Sequence, residues 1–213
     1  DPIAATAFMT CHGHESWHPD PEFYYKVGAG PMFDMGPYYV TALVALLGQV
    51  ETVAGFTKKS FETRRITSAK KFGEIIDVEV PTHINGLMKF TNGAVATIIT
   101  SFDVWGAELP RIEIYGTKGT LSVPDPNTFG GPVKIKTNKT EGFVEMPHSH
   151  DYCENSRGLG LSDMARAILE GGKHRANGEL TYHVLDVMQA FHDASNEEKY
   201  IKIKSCCEQP ESM

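Results

Sequence analysis

The sequence predicts an α+β fold: a large, open, antiparallel-dominated sheet with helices on one face. Three observations predict it. A run of short alternating segments fills the middle of the chain, joined by turn signals such as Thr91-Asn92-Gly93. The amphipathic helical patterns are segregated, one near the start and two near the end. Alternating strand–helix–strand units are not evident, and neither a G-x-G-x-x-G after a strand nor a P-loop is found.

In order along the chain, Pro2 to Cys11 is small, apolar and β-tolerant, and predicts a strand over 3–10. Residues 12–31 follow as an irregular loop, dense in histidine, tryptophan and tyrosine and with two prolines near its middle, Pro19 and Pro21. A long loop carrying such residues is a functional candidate. Residues 28–48 form a glycine-rich lead-in, then a mostly apolar helix, then a Gly48 stop. Phe33, Tyr39, Leu43, Leu46 and Leu47 recur at helical spacing, and Pro37 is expected in the tolerant first turn. Asp34 and Tyr38 are four apart and share one side. A carboxylate there is favoured by the exposed N–H groups of the helix start. The pair can present a carboxylate and a phenol together, or act as a cap and a packing residue.

Strands are then expected at 49–61, 75–90, 94–104, 109–115, 120–123, 133–137 and 142–146. In the 94–104 strand, Ala94, Ala96, Ile98, Thr100 and Phe102 line one face, and Val95, Thr97, Ile99 and Ser101 the other. His83, Asn85, Leu87 and Lys89 share that second, half-apolar face, which suits a homodimer or homotetramer interface. Helices are expected at 158–170 and 179–194, an edge strand at 199–204, and a flexible tail over 205–213, all within a single domain spanning 1–213.

Composition excludes several classes. The net charge of −7 argues against nucleic acid and anionic membrane partners. No apolar run long enough to span a bilayer occurs. Cys11, Cys153, Cys206 and Cys207 have neither disulfide-framework nor zinc spacing, so reduced thiols in a cytoplasmic protein are expected. The chain starts at Asp1-Pro2 with no methionine, and reads as a piece of a longer product.

Three readings compete for the histidine-rich loop. His12, His14 and His18 can ligate a metal, with Glu15 nearby. His14, Trp17, His18 and Tyr24, with Asp34 and Tyr38 downstream, can instead form a pocket for a hydroxylated molecule. The loop can also simply pack on itself. His183 sits inside an amphipathic helix and reads as a packed histidine. Arg157 precedes the 158–170 helix and can bind hydroxyls or an anion, or make a salt bridge at the helix start.

The segment Gly28-Ala29-Gly30-Pro31-Met32-Phe33-Asp34-Met35-Gly36-Pro37-Tyr38 resembles the G-G-G-x-x-x-D-x-G-x-H motif of the glucose–fructose oxidoreductase/inositol dehydrogenase/rhizopine-catabolism (Gfo/Idh/MocA) family. Thr91-Asn92-Gly93-Ala94 resembles that family's F-x-N-G-A hairpin. Ile112-Glu113-Ile114-Tyr115-Gly116-Thr117-Lys118-Gly119 resembles its I-x-I-x-G-x-x-G strand and turn. The resemblance runs in order from about residue 3 to about residue 204. It implies the C-terminal, substrate-binding and oligomerisation domain of an NAD(P)-dependent oxidoreductase. NAD or NADP would be held mainly by the chain's own N-terminal Rossmann domain, and this chain alone would be inactive. The substrate would be a sugar, polyol or related hydroxy compound, with His14, Trp17, His18, Tyr24 and Arg157 around it. Asp34 matches the family aspartate, and Tyr38 stands at the family histidine. A phenol can move the hydroxyl proton when a nearby lysine supports it, and the N-terminal domain would bring one. The alternative within the same fold is a non-catalytic sugar-binding or scaffold protein.

Overall fold

The computed structural model describes Asp1–Ser212. It is built on a nine-stranded sheet in the order β10-β9-β8-β7-β1-β6-β5-β2-β11. The strands are β1 (Pro2–Thr10), β2 (Val50–Lys58), β5 (His83–Phe90), β6 (Val95–Ser101), β7 (Ile112–Gly116), β8 (Gly119–Val123), β9 (Val133–Thr137), β10 (Val144–Met146) and β11 (Ile201–Lys202). A separate two-stranded ribbon pairs β3 (Thr63–Arg65) with β4 (Ile75–Asp77). Every pairing in the large sheet is antiparallel except that of β1 with β6. Helices α1 (Pro31–Leu47) and α3 (Gly178–Glu197) pack on one face, while α2 (Leu159–Glu170) buries none of its residues.

The predicted alternation orients the central strands. Ala96, Ile98 and Thr100 of β6 are buried together with Ala5, Ala7 and Met9 of β1 and Ile84 and Met88 of β5. Val40, Leu43, Val44 and Leu47 of α1 and Val184, Val187 and Phe191 of α3 close that core. Phe191 sits over the cross-strand pair Gly55 and Gly86, where a β-carbon on Gly86 would overlap its ring. The glycine pair is thus what lets α3 approach the sheet. Leu87 and Val95 on the opposite face are open to solvent.

The expected strand over 75–90 is broken into β4 and β5. Pro81 lies in the break, where it has no N–H to donate to a ladder. Pro37 is also placed differently from the expectation. Because α1 starts at Pro31, Pro37 falls in the second turn and leaves the Phe33 carbonyl without its helical partner. Gly30 precedes α1 at φ +87°, with a Pro81 carbonyl 2.9 Å from where a β-carbon would stand. No other residue fits that site without strain, so the helix start is fixed in place. Where a tail was expected over 205–213, Ser205 is buried beside Asp186 and Gln209 donates to the Ala45 carbonyl at 2.7 Å. Arg175 reaches the Glu211 and Ser212 carbonyls; Met213 lies outside the described residues. All four cysteines are free thiols, and no helix among the described residues is long and apolar enough to cross a membrane.

Candidate functional site

The 12–25 loop is positioned from both ends. Cys11 continues from β1, its N–H donating to the Ser101 carbonyl at 3.0 Å and its carbonyl accepting from Val104 at 3.0 Å. Gly13 then turns the chain at φ +83°, with Glu15 and Tyr25 crowding the space a side chain would need. His18 N–H donates to the His14 carbonyl at 2.9 Å, closing a helical turn. The segment after β3 clamps this turn. Thr67 and Ser68 N–H both donate to the Glu15 carbonyl, at 3.0 and 2.8 Å, and the Ser68 hydroxyl donates to the His18 carbonyl at 2.8 Å. A single 3-10 turn, Pro21–Tyr25, then leads to Gly30 and α1.

Beneath the loop is a buried charge cluster. Arg64 of β3 pairs with Glu15 at 3.0 Å and with Asp103, and donates to the Phe102 carbonyl at 2.8 Å. The Thr82 hydroxyl donates to the second oxygen of Asp103 at 2.7 Å. All three charged side chains are almost fully buried. Ions so desolvated persist only when paired and hydrogen-bonded. Sequence reading misses this cluster, because Arg64 looks like one more cation in a basic, Thr/Ser-rich connection. The available signal is Glu15, a carboxylate set directly among the histidines and tryptophan of the loop.

Above the cluster, His14 is brought to Asp34. His14 is only 8% exposed, its ring stacked on Tyr24 at 3.7 Å and edge-on to Phe102 at 4.6 Å. Its Nε2 lies 3.6 Å from an Asp34 carboxylate oxygen, beyond hydrogen-bond length, and its Nδ1 is buried with no partner. Burial, and next the charge of His18, lowers the His14 pKa to about 4, so at neutral pH the ring is a neutral donor and acceptor. Burial also raises the Asp34 carboxyl and, with the Asp34 charge, the Tyr24 phenol. The Asp34 side chain is 28% exposed and so reachable from outside. The arrangement can hold a hydroxyl group and take its proton.

Of the sequence-predicted residues, His14, Trp17, His18, Tyr24 and Asp34 come together. Trp17 lies 5.4 Å from His14, and His18 meets Tyr24 edge-on at 5.3 Å while its Nδ1 accepts from Asp20 N–H. Tyr38 sits one turn beyond Asp34, half-buried against the core. Arg157 is placed elsewhere in its contacts: it donates to the Asn127 side chain at 3.0 Å and lies over Phe129 at 5.8 Å. The connection between β8 and β9 satisfies its guanidinium, so nothing ties it to His14 or Asp34. The three loop imidazoles do not share a target. His12 stacks on Trp105, His14 faces Asp34, and His18 accepts from Asp20. Among the described residues no three histidine, cysteine, aspartate or glutamate side chains converge as a ligand set. His183 is fully buried, accepting from Val50 N–H at 3.1 Å and bonded to the Ser205 hydroxyl at 2.9 Å, as a packed histidine.

The model described as the GFO/IDH/MocA C-terminal domain matches residues 1–122, more than half of the chain. A comparison with curated protein sequences gives no match. Among solved structures, the chain is similar to an NAD binding oxidoreductase from Klebsiella pneumoniae, with TM-score 0.72 and 17% identity over 95% of this chain and 59% of that one. It is also similar to levoglucosan dehydrogenase in complex with NADH, with TM-score 0.72 and 16% identity over 96% and 59%. A third is aldose-aldose oxidoreductase from Caulobacter crescentus complexed with glycerol, with TM-score 0.70 and 19% identity over 94% and 55%. The chain therefore spans less than two thirds of the structures it matches.

Proposed function

The chain belongs to the GFO/IDH/MocA family as a C-terminal domain, and on that premise we propose that it forms the substrate-binding and subunit-contact part of an NAD(P)-dependent oxidoreductase. The substrate is a sugar, polyol or related hydroxy compound. The observation that carries this reading is the His14–Asp34 pair at the start of α1: the two side chains lie 3.6 Å apart, Asp34 is partly open to solvent, and the buried Nδ1 of His14 has no hydrogen-bond partner. A buried ring nitrogen left so is costly unless a ligand completes it.

A bound nicotinamide supplies hydride acceptance or donation, and is held chiefly by a Rossmann domain outside this chain. The residues here fit one wall of such a site. Asp34 and the neutral His14 would grip the carbinol hydroxyl and orient its carbon. Tyr38, one turn along α1, would exchange the hydroxyl proton, with His14 as the second candidate for that role. Trp17 and Tyr24 would offer ring faces to the sugar's C–H surfaces. The open sheet face supports the oligomer reading. It carries a shallow 480 Å³ depression whose lining includes Ala4, Thr6, Ala54, Leu87, Val95 and Tyr200, an apolar surface suited to a second copy.

The test is Asp34→Asn in the full-length protein. The amide keeps the shape but loses the charge, so kcat/KM for sugar oxidation should fall by about 100-fold, the range of a positioned acid–base or electrostatic group. An unchanged kcat/KM would remove Asp34 from the site. A full-length protein that binds sugars but never reduces NAD or NADP would favour the non-catalytic alternative.

A further inference from the structure

The two tryptophans of the chain come from different connections but both meet histidines of the 12–25 loop. Trp17 borders His14, and Trp105, brought in by the connection after β6, stacks on His12 at 3.3 Å. Both are open to solvent, 61% and 85% exposed. An aromatic ring that large, held in place yet left in water, loses the burial that usually justifies it. One of the two is accounted for by the site at His14 and Asp34. The other is not.

Trp105 forms one wall of a separate cavity of about 420 Å³, within the size range of small-molecule sites. His12, Glu15, Arg64, Arg65 and Thr67 line the rest. Its polar groups are mixed in kind. Arg64 offers a buried Nε–H with no partner, and His12 a buried Nδ1 with no partner. The Glu15 and Asp103 carboxylates already balance Arg64, and Arg65 donates to the Gly73 carbonyl. A neutral ligand with several hydroxyls and an apolar face matches donors, acceptors and a flat indole together. His12 and His14 are two residues apart, so their α-carbons are separated by at most about 7 Å. The cavity wall and the His14–Asp34 pair are thus carried by the same loop, on neighbouring residues.

We propose that this cavity is a second sugar subsite, and that the substrate is a glycoside or disaccharide. One ring is held at Asp34 and His14, and the ring linked to it stacks on Trp105. The inference rests on the sugar-binding part of the proposed function, but not on hydride transfer. The test is calorimetric titration of the full-length protein with glucose, cellobiose, maltose and gentiobiose. At least one disaccharide should bind at least tenfold tighter than glucose, and Trp105→Ala should bring that disaccharide down to the affinity of glucose. Equal affinity for glucose and all three disaccharides would overturn the subsite. So would a disaccharide preference that Trp105→Ala leaves intact, or displacement of the disaccharide by saturating NADH, which would assign the cavity to the cofactor. A protein that shows the Trp105-dependent preference yet oxidises no sugar would keep the subsite and overturn the dehydrogenase reading alone.

Discussion

Two loops of this chain have similar composition and opposite fates. Residues 12–25 carry His12, His14, Trp17, His18 and Tyr24, and residues 147–158 carry His148, His150, Tyr152 and Arg157. Each follows a strand and precedes a helix. In the first, His14 is buried and Glu15 is paired with Arg64, 49 positions away in sequence. In the second, His148, His150 and Tyr152 are exposed and contact mainly one another, the two closest ring pairs at 5.9 Å. Residue types do not by themselves order a loop. A distant partner that pairs with one of its charges and buries it does.

Arg64→Met should break that difference most severely. It leaves Glu15 and Asp103 buried without a counter-charge, a change that costs about 3–5 kcal/mol. Urea unfolding should show the loss in the midpoint. A stable variant with an ordered 12–25 loop would mean that water or protonation replaces the guanidinium.

Acid should erase part of the same contrast. His14 has a pKa of about 4 in the fold, against 6.5 for the free side chain. The folded state therefore binds fewer protons than the unfolded one between those values, and stability falls as pH drops through that window. Above 6.5 the contribution is complete, and below about 4 the loss is saturated. The span corresponds to at most about 3 kcal/mol. Asp34, whose carboxyl is raised, acts in the opposite sense at the acid end of the window. His183 and His192 are lowered by burial as well, so the comparison must be with His14→Gln. That variant should have a flatter stability profile between pH 4.5 and 7 than the parent. Parallel profiles would show that the ring is hydrated in solution.

Within the first loop's site the proton carrier is the next distinction. Tyr38→Phe removes a single oxygen from a half-buried ring, and should lower turnover of the full-length enzyme by at least about tenfold while leaving the unfolding midpoint nearly unchanged. Near-parental turnover would pass the role to His14.

The sheet, its hairpins and the three helices were legible because each depends on local periodicity. Ala96, Ile98 and Thr100 alternate with Val95, Thr97 and Ile99, and the structure buries the first set. The gathering of His14, Trp17, Tyr24 and Asp34 was legible for a related reason: a 21-residue stretch of chain joins them, and Gly30 fixes its end. Arg64 and Asp103 were not legible, because no local pattern says that a cation in one connection meets carboxylates from two others. The exposed stripe of α2 shows the same boundary from the other side. Its periodicity correctly gave a helix, but Leu161, Ile168 and Leu169 remain uncovered, since periodicity specifies a face and not its partner.

Arg157 supplies the smallest effect and the sharpest control. Its guanidinium has the same chemistry as that of Arg64, yet it lies on the exposed loop, with one side-chain amide and one ring as partners. Water can replace both, so Arg157→Ala should change stability by no more than about 0.5 kcal/mol. As a substrate ligand, Arg157 would show itself in KM with kcat unchanged, the mark of binding that is uniform between ground and transition states. An unchanged KM would leave the second loop out of the site. A raised KM would require the second loop to close over the first when sugar binds, and the contrast between the two loops would then describe only the free protein.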